Sequence, residues 1–119
     1  MNSIEYFTAN ELQCKCGCGK QFDNQKFIEK LTSARIIAGI EFKITSGVRC
    51  YDHNKAIGGA KASEHMSSNA VDIEAKTSFV RYRIVESLLR AGFNRIGIDE
   101  NFVHVDDSKI KSSNCIFLY

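Results

Sequence analysis

The chain has 119 residues, 44% hydrophobic and 25% charged, which is enough for one compact domain with a modest core and too few for a second. We therefore expect a single domain over residues 1–119. Its 16 basic and 14 acidic side chains give a net charge of only +2, which excludes the strongly basic surface typical of nucleic-acid-binding proteins.

The N-terminal sequence MNSIEYFTANEL lacks the basic stretch and apolar run of a secretory signal. No apolar segment in the chain is long enough to cross a bilayer. These features predict a protein made in the cytoplasm without a signal peptide or a membrane span, and we expect it to be a monomer.

The first distinctive segment is CKCGCG, which places Cys14, Cys16 and Cys18 two residues apart. The chain has five cysteines, and an odd number argues against a fully paired, secreted disulfide scaffold, so we expect reduced thiols. The alternate spacing differs from the C-x-x-C of a zinc ribbon, and no second pair of suitable spacing follows. The segment is therefore interpreted as a glycine-bearing turn with small thiols, and a metal site is the alternative.

Hydrophobic periodicity predicts two helices. Asp23 or Asn24 caps the first, which ends at Gly39, and the second runs from Thr77 or Ser78 to about residue 91, before Gly92. Asp52 is expected to cap a short helix between them. The predicted buried faces are Phe27, Ile28, Leu31, Ala34 and Ala38 in the first long helix, and Val80, Ile84, Val85, Leu88 and Leu89 in the second.

Short extended runs predict five strands. They cover residues 42–45, 70–74, 95–98, 102–105 and 115–118. Together with the helices they predict an α+β fold, in which a small, mainly antiparallel sheet is backed by helices.

Alternation along two of these strands directs polar side chains away from the core. In NFVHVDD, His104 and Asp106 share one face, and the valines between them take the other. In AVDIEA, Asp72 lies on the face opposite its apolar neighbours. Core packing does not explain the position of this acidic side chain, and binding of a ligand would explain it.

His65, in the polar stretch SEHMSSNAVD, could join Asp72 and His104 around a metal. Two neutral imidazoles and one carboxylate provide three ligands for tetrahedral zinc and leave the fourth position open, as in catalytic zinc sites. Peptide hydrolysis is a natural use of such a site. The alternative interpretation is a capping acid and two surface histidines.

The order of these residues resembles the S-x-H-x-x-G-x-A-x-D signature of the zinc D-Ala-D-Ala carboxypeptidases, peptidase family M15. Ser63, His65, Ala70 and Asp72 occupy their motif positions, while Ser68 stands where the family usually has glycine, in a turn that prefers positive φ. Upstream, ITSGVRCYDHN resembles the family's S-G-x-R segment, and downstream FVHVD resembles its final zinc-ligand strand. The resemblance spans residues 44–106.

The resemblance implies the mixed α+β domain shared by these carboxypeptidases, certain phage-type peptidoglycan endopeptidases and the hedgehog signalling domain. It implies that His65, Asp72 and His104 hold Zn²⁺. It also implies that Arg49 binds the substrate carboxylate or the developing oxyanion, with Ser63 near the substrate.

The implied substrate is the peptide stem of bacterial peptidoglycan, cleaved by a carboxypeptidase or an endopeptidase. An enzyme of this size without a signal peptide is similar to phage or prophage proteins that reach the cell wall after lysis or as part of the particle. The alternatives are a zinc-stabilised binding module without hydrolysis, as in the hedgehog domain, and a structural phage component.

The general base departs from the family pattern. Many members carry an acid three residues before the last zinc histidine, where this chain has Asn101, which cannot accept a proton from water. Asp106 is the first candidate for the role, with orientation of the His104 imidazole as its alternative function. Glu100 and Asp99, in the turn before the strand, are the next candidates, and a solvated acidic turn is their alternative interpretation.

Overall fold

The structure is a computed structural model that describes residues 6–119, and it confirms the α+β fold class. The helices are α1 (Ala9–Leu12), α2 (Gln25–Ala38), α3 (Tyr51–Ala56) and α4 (Ser78–Arg90), with a 3-10 turn at Glu64–Ser67. The strands are β1 (Ile44–Ser46), β2 (Ala70–Glu74), β3 (Arg95–Ile98), β4 (Phe102–Asp106) and β5 (Cys115–Leu118). No helix in the described part of the chain is long and apolar enough to cross a membrane.

The boundaries of the two long helices agree with the capping residues predicted from the sequence. The Asn24 side chain accepts a hydrogen bond from the Phe27 N–H, and Gly39 ends α2 with φ of 68°. The Thr77 hydroxyl accepts from the Val80 N–H at the start of α4. These boundaries therefore follow from local hydrogen bonding.

Three local predictions were wrong. Leu89 is 46% exposed, because the buried face of α4 is centred on Ile84 and Leu88. The N-cap of α3 is Cys50 rather than Asp52, and its sulfur accepts from the His53 N–H. The first strand covers Ile44–Ser46 instead of residues 42–45, since residue 42 packs in the core before pairing with β2 begins.

The five strands of the described residues form one sheet in the order β1-β2-β4-β3-β5, in which all neighbours are antiparallel except β3 and β5. In the β2–β4 register, Asp72 lies opposite His104, and Val71 lies opposite Val105. The predicted alternation is confirmed, because the valines join the core with Phe27, Leu31, Ile84 and Leu88 of α2 and α4. Asp72 and His104 consequently face away from the two long helices.

The N-terminal segment packs against the connection between β1 and α3. The Val48 N–H donates to the Leu12 carbonyl over 2.9 Å. The Cys50 N–H points at the Cys14 sulfur, with an N···S distance of 3.4 Å. Cys50 thus joins the thiols of the CKCGCG segment, although sequence spacing did not pair it with them.

Candidate metal centre and cleft

The 3-10 turn delivers His65 to the polar face of the sheet. The Ser63 hydroxyl accepts a hydrogen bond from the His65 N–H over 3.2 Å and so caps the turn. Ser68 ends the turn with φ of 54° and ψ of 43°, and its hydroxyl accepts from the Asp23 N–H. The serine therefore adopts the positive φ expected of glycine at this position.

His65, Asp72 and His104 converge on one point. The His65 Nε2 and His104 Nδ1 atoms are 3.3 Å apart, and Asp72 Oδ1 lies 3.3 Å from the former and 3.0 Å from the latter. A tetrahedral zinc ion with N and O ligands at its usual bond lengths requires ligand separations of about 3.3 Å. The three side chains are buried, and their separations fit such an ion.

The outer hydrogen bonds of the imidazoles fix which nitrogens can bind a cation. His65 Nδ1 lies 2.8 Å from the Gly47 carbonyl oxygen, which can only accept, so Nδ1 carries the proton. His104 Nε2 likewise donates to Asp106 Oδ2 over 2.7 Å. The neutral rings therefore direct two lone pairs at Asp72 Oδ1, and three acceptors in close contact require a cation or an added proton between them.

The charges at the site are coupled. Burial disfavours the ionised carboxyl of Asp72, but hydrogen bonds with His104 and His65 outweigh it and lower its pKa to about 2. Burial also disfavours the His104 imidazolium, but hydrogen bonds to Asp106 and Asp72 outweigh it and raise its pKa. Asp72 is therefore anionic at neutral pH, the form in which a carboxylate binds a metal.

Arg49 lies beside Asp72 at the edge of the convergence point. Its Nη2 atom is 3.6 Å from Asp72 Oδ2. Its Nε donates to the Ser46 hydroxyl over 3.2 Å, and its Nη1 donates to the Asn54 side-chain oxygen over 2.9 Å. Two neutral acceptors thus hold the guanidinium in place, and its contact with Asp72 is long enough for Nη2 to bind a second anionic group as well.

These side chains line a cleft of about 510 Å³. Besides the triad and Arg49, the lining includes Ser63, Glu64, Arg95, Lys111, Phe117 and Tyr119. A cleft of this size admits a short peptide segment next to the candidate metal ligands.

The family model described as Peptidase M15 matches residues 5–106, which cover the triad, Arg49 and Ser63. The chain belongs to peptidase family M15. Members of this family are peptidases and are typically metal-dependent. No curated protein matches the sequence.

Both carboxylate oxygens of Asp106 in the M15 domain accept hydrogen bonds. Its Oδ2 atom accepts from His104 and from Arg95 Nε, at 2.7 and 3.1 Å, and its Oδ1 atom accepts from the Ser108 N–H. Burial would raise the Asp106 pKa, but the hydrogen bond with His104, followed by those other contacts, lowers it. A weakly basic carboxylate with hydrogen bonds at both oxygens suits orientation of the imidazole better than proton transfer.

The other candidate bases lie outside the triad's surroundings. Glu100 is exposed in the β3–β4 turn and is not among the residues that line the cleft. Asp99 accepts a hydrogen bond from the Asn101 N–H and so stabilises that turn. The structure therefore does not place the carboxylate of Glu100 beside the candidate ligands His65, Asp72 and His104, and it uses the carboxylate of Asp99 within the turn.

Two aromatic side chains that lie beside His104 were not predicted from the sequence. The ring centroids of Phe117 and Tyr119 lie 5.7 and 6.1 Å from that of His104. Gly97 pairs with His104 in the sheet, and a Cβ at this glycine would overlap both aromatic rings. The available signal was the alternation of Phe117 and Tyr119 in CIFLY together with a glycine in the neighbouring strand.

Proposed function

We propose that this M15 domain is a zinc peptidase that hydrolyses the peptide stems of bacterial peptidoglycan. The observation that carries the proposal is the convergence of two imidazole lone pairs and one carboxylate oxygen in a cleft. His65, Asp72 and His104 would hold the ion. Zinc bound by three such ligands lowers the pKa of water to about 7 and polarises a carbonyl.

Arg49 supports a substrate that carries negative charge. Its guanidinium is held by Ser46 and Asn54 next to Asp72, so a peptide in the cleft meets a fixed cation beside the metal ligands. A planar guanidinium binds a carboxylate, or the oxyanion that develops during hydrolysis, through two parallel hydrogen bonds. A stem peptide with a free carboxylate matches this arrangement, whether it is cut by a carboxypeptidase or an endopeptidase.

Tyr119 is a second donor in the cleft. The residue is 65% exposed overall, but partial burial of its phenol, followed by the negative charge of Asp72, raises the pKa of the hydroxyl. The hydroxyl therefore stays protonated at neutral pH and can donate to a substrate oxygen. Ser63, at the start of the turn that carries His65, lines the same cleft.

The activity is tested by incubating the purified, zinc-loaded protein with peptidoglycan and measuring new amine and carboxyl termini. We expect new termini that disappear with a chelator and return when zinc is restored. Mass spectrometry of the released fragments identifies the bond that is cut. A fully zinc-loaded protein that releases no termini from walls of several stem compositions would contradict the proposal.

Asp106 is proposed to position His104, and replacing it with asparagine separates this role from that of a base. We expect Asp106→Asn to weaken zinc binding about 10–100-fold, because the partner of the His104 N–H loses its charge. With saturating zinc, kcat should stay close to wild type and keep its pH profile. Asp107→Asn, which alters the adjacent carboxylate bonded to Lys30, is the matched control.

If Asp106 were the general base, the Asp106→Asn variant would lose kcat even when fully loaded with zinc. The acidic limb of its pH–rate profile would also disappear. Zinc affinity and turnover, measured together, therefore distinguish the two roles.

A second candidate function is a zinc-stabilised module that binds peptidoglycan without cutting it. Two observations favour it: Asn101 occupies the position of the family's acid, and both oxygens of the Asp106 carboxylate already accept hydrogen bonds. This function predicts sedimentation of the zinc-loaded protein with insoluble peptidoglycan and no new termini. In either case, we propose that contact with the wall follows lysis or delivery with a phage particle.

A further inference from the structure

Four cysteine thiols form a second cluster outside the cleft. Cys14, Cys16 and Cys18 come from the CKCGCG loop, and Cys50 comes from the start of α3. Their sulfur atoms all lie within 4.8 Å of one another. The Cys14 and Cys16 sulfurs are 3.4 Å apart, and the Cys16 and Cys50 sulfurs are 3.6 Å apart.

These separations are close to those of a metal tetrathiolate. Zinc–sulfur bonds of about 2.3 Å in a tetrahedron place the sulfurs about 3.8 Å apart. Four thiols, with no imidazole or carboxylate among them, form the closed ligand set of structural zinc sites, which keep no open position for water.

The backbone around the cluster is arranged to support thiolates. The N–H groups of Cys50 and His53 point at the sulfurs of Cys14 and Cys50, at 3.4 and 3.3 Å. Gly17 and Gly19 adopt φ of 86° and 87°, and a Cβ at either position would meet no neighbouring atom. These glycines are therefore needed for a backbone conformation that turns the alternate cysteines to one side.

We propose that Cys14, Cys16, Cys18 and Cys50 bind a structural zinc ion, distinct from the ion proposed at His65, Asp72 and His104. Binding exchanges the protons of the thiols, released to solvent, for zinc–sulfur bonds. The ion would join the CKCGCG segment to the start of α3, since Cys14 and Cys50 are 36 residues apart in the sequence. It would also fix the residue that follows Arg49, since Cys50 caps the helix whose Asn54 binds the Arg49 side chain.

Metal content tests the site in the intact chain. Protein purified under reducing conditions and without chelator should contain two zinc ions per chain. The double variant Cys16→Ser/Cys18→Ser should retain one, and so should Asp72→Asn, whereas Cys115→Ser should retain two. Cys115 is the matched control, because it lies in β5 outside the cluster.

Cobalt substitution distinguishes the two sites spectroscopically. Wild type and Asp72→Asn should show intense near-ultraviolet thiolate-to-cobalt charge transfer, and Cys16→Ser/Cys18→Ser should lose it. A wild-type protein that lacks this band would overturn the proposal even if the cysteine variants fail to fold. Failure of the proposed hydrolysis would leave the band in place, so the two outcomes are separable.

Thiol counting provides a second measurement on wild type alone. We expect Cys115 to react with a thiol reagent in the zinc-loaded protein and the other four to react only after chelation. All five thiols reacting equally before and after chelation would overturn the site. Recovery of iron, or a mass lower by two hydrogen atoms because of a disulfide within the cluster, would also overturn it.

Discussion

Asp72→Asn is expected to abolish peptidoglycan hydrolysis, with kcat/KM reduced by about 10³-fold or more, because the metal supplies several kcal/mol of transition-state stabilisation. The substitution keeps the shape of the side chain but replaces the anionic oxygen that lies 3.0 and 3.3 Å from the two imidazole nitrogens. One equivalent of zinc should be lost as well. Amine release and metal analysis of the same preparations measure both effects.

Glu74→Gln is the matched control for this prediction. It makes the same chemical change in the same strand, at a carboxylate that pairs with the surface lysines Lys43 and Lys76. It should retain both activity and zinc, since exposed ion pairs contribute little. An Asp72→Asn enzyme with more than about a tenth of wild-type kcat/KM would show that this carboxylate does not hold a catalytic ion.

Arg49→Lys has the second-largest expected effect. Lysine keeps the positive charge but loses the planar fork that contacts Ser46, Asn54 and Asp72. We expect kcat/KM on peptidoglycan stems to fall about 10–100-fold, the equivalent of one or two charge-assisted hydrogen bonds. Zinc content should be unchanged, because Arg49 is not a ligand.

Gly59→Ala tests the same role without altering the charge. A Cβ at residue 59 would overlap the Asn54 side-chain oxygen and crowd Arg49 Nη1. The variant should therefore reproduce part of the Arg49→Lys loss, whereas Lys55→Ala, an exposed change in α3, should not. If both Arg49→Lys and Gly59→Ala left the kinetics unchanged, Arg49 would have no part in binding the substrate.

Alternation and capping made much of the fold predictable from the sequence. The strands at residues 70–74, 95–98 and 115–118 have the predicted bounds, and β4 extends one residue past its predicted end. The placement of Asp72 and His104 on one face followed from the same period of two. Local patterns sufficed for β2 and β3 because each has one face in the core. β5 was found from its β-branched and aromatic residues instead, since none of its side chains is buried.

Contacts between distant segments were not predictable in the same way. Cys50 reaches the CKCGCG loop because α1 packs beside β1, which no sequence spacing reveals. The hydrogen bond between Asp106 and His104 depends on which ring nitrogen of His104 faces the Asp106 carboxylate, and alternation does not determine ring orientation. Phe117 and Tyr119 reach the cleft because the pairing of β3 with β5 places them over Gly97, and the sequence does not show which strands are neighbours.

Asp72 pairs directly with His104 across β2 and β4. The distance between these two candidate ligands therefore depends on the register of the two strands. A slip of one residue would turn His104 into the apolar interior and present a valine in its place. We therefore expect disruption of the β2–β4 pairing to abolish metal binding in the affected molecules, and not to lower the metal affinity gradually. Titration of the Cys16→Ser/Cys18→Ser variant with a chromophoric metal would accordingly report the fraction of molecules whose central strands are correctly aligned.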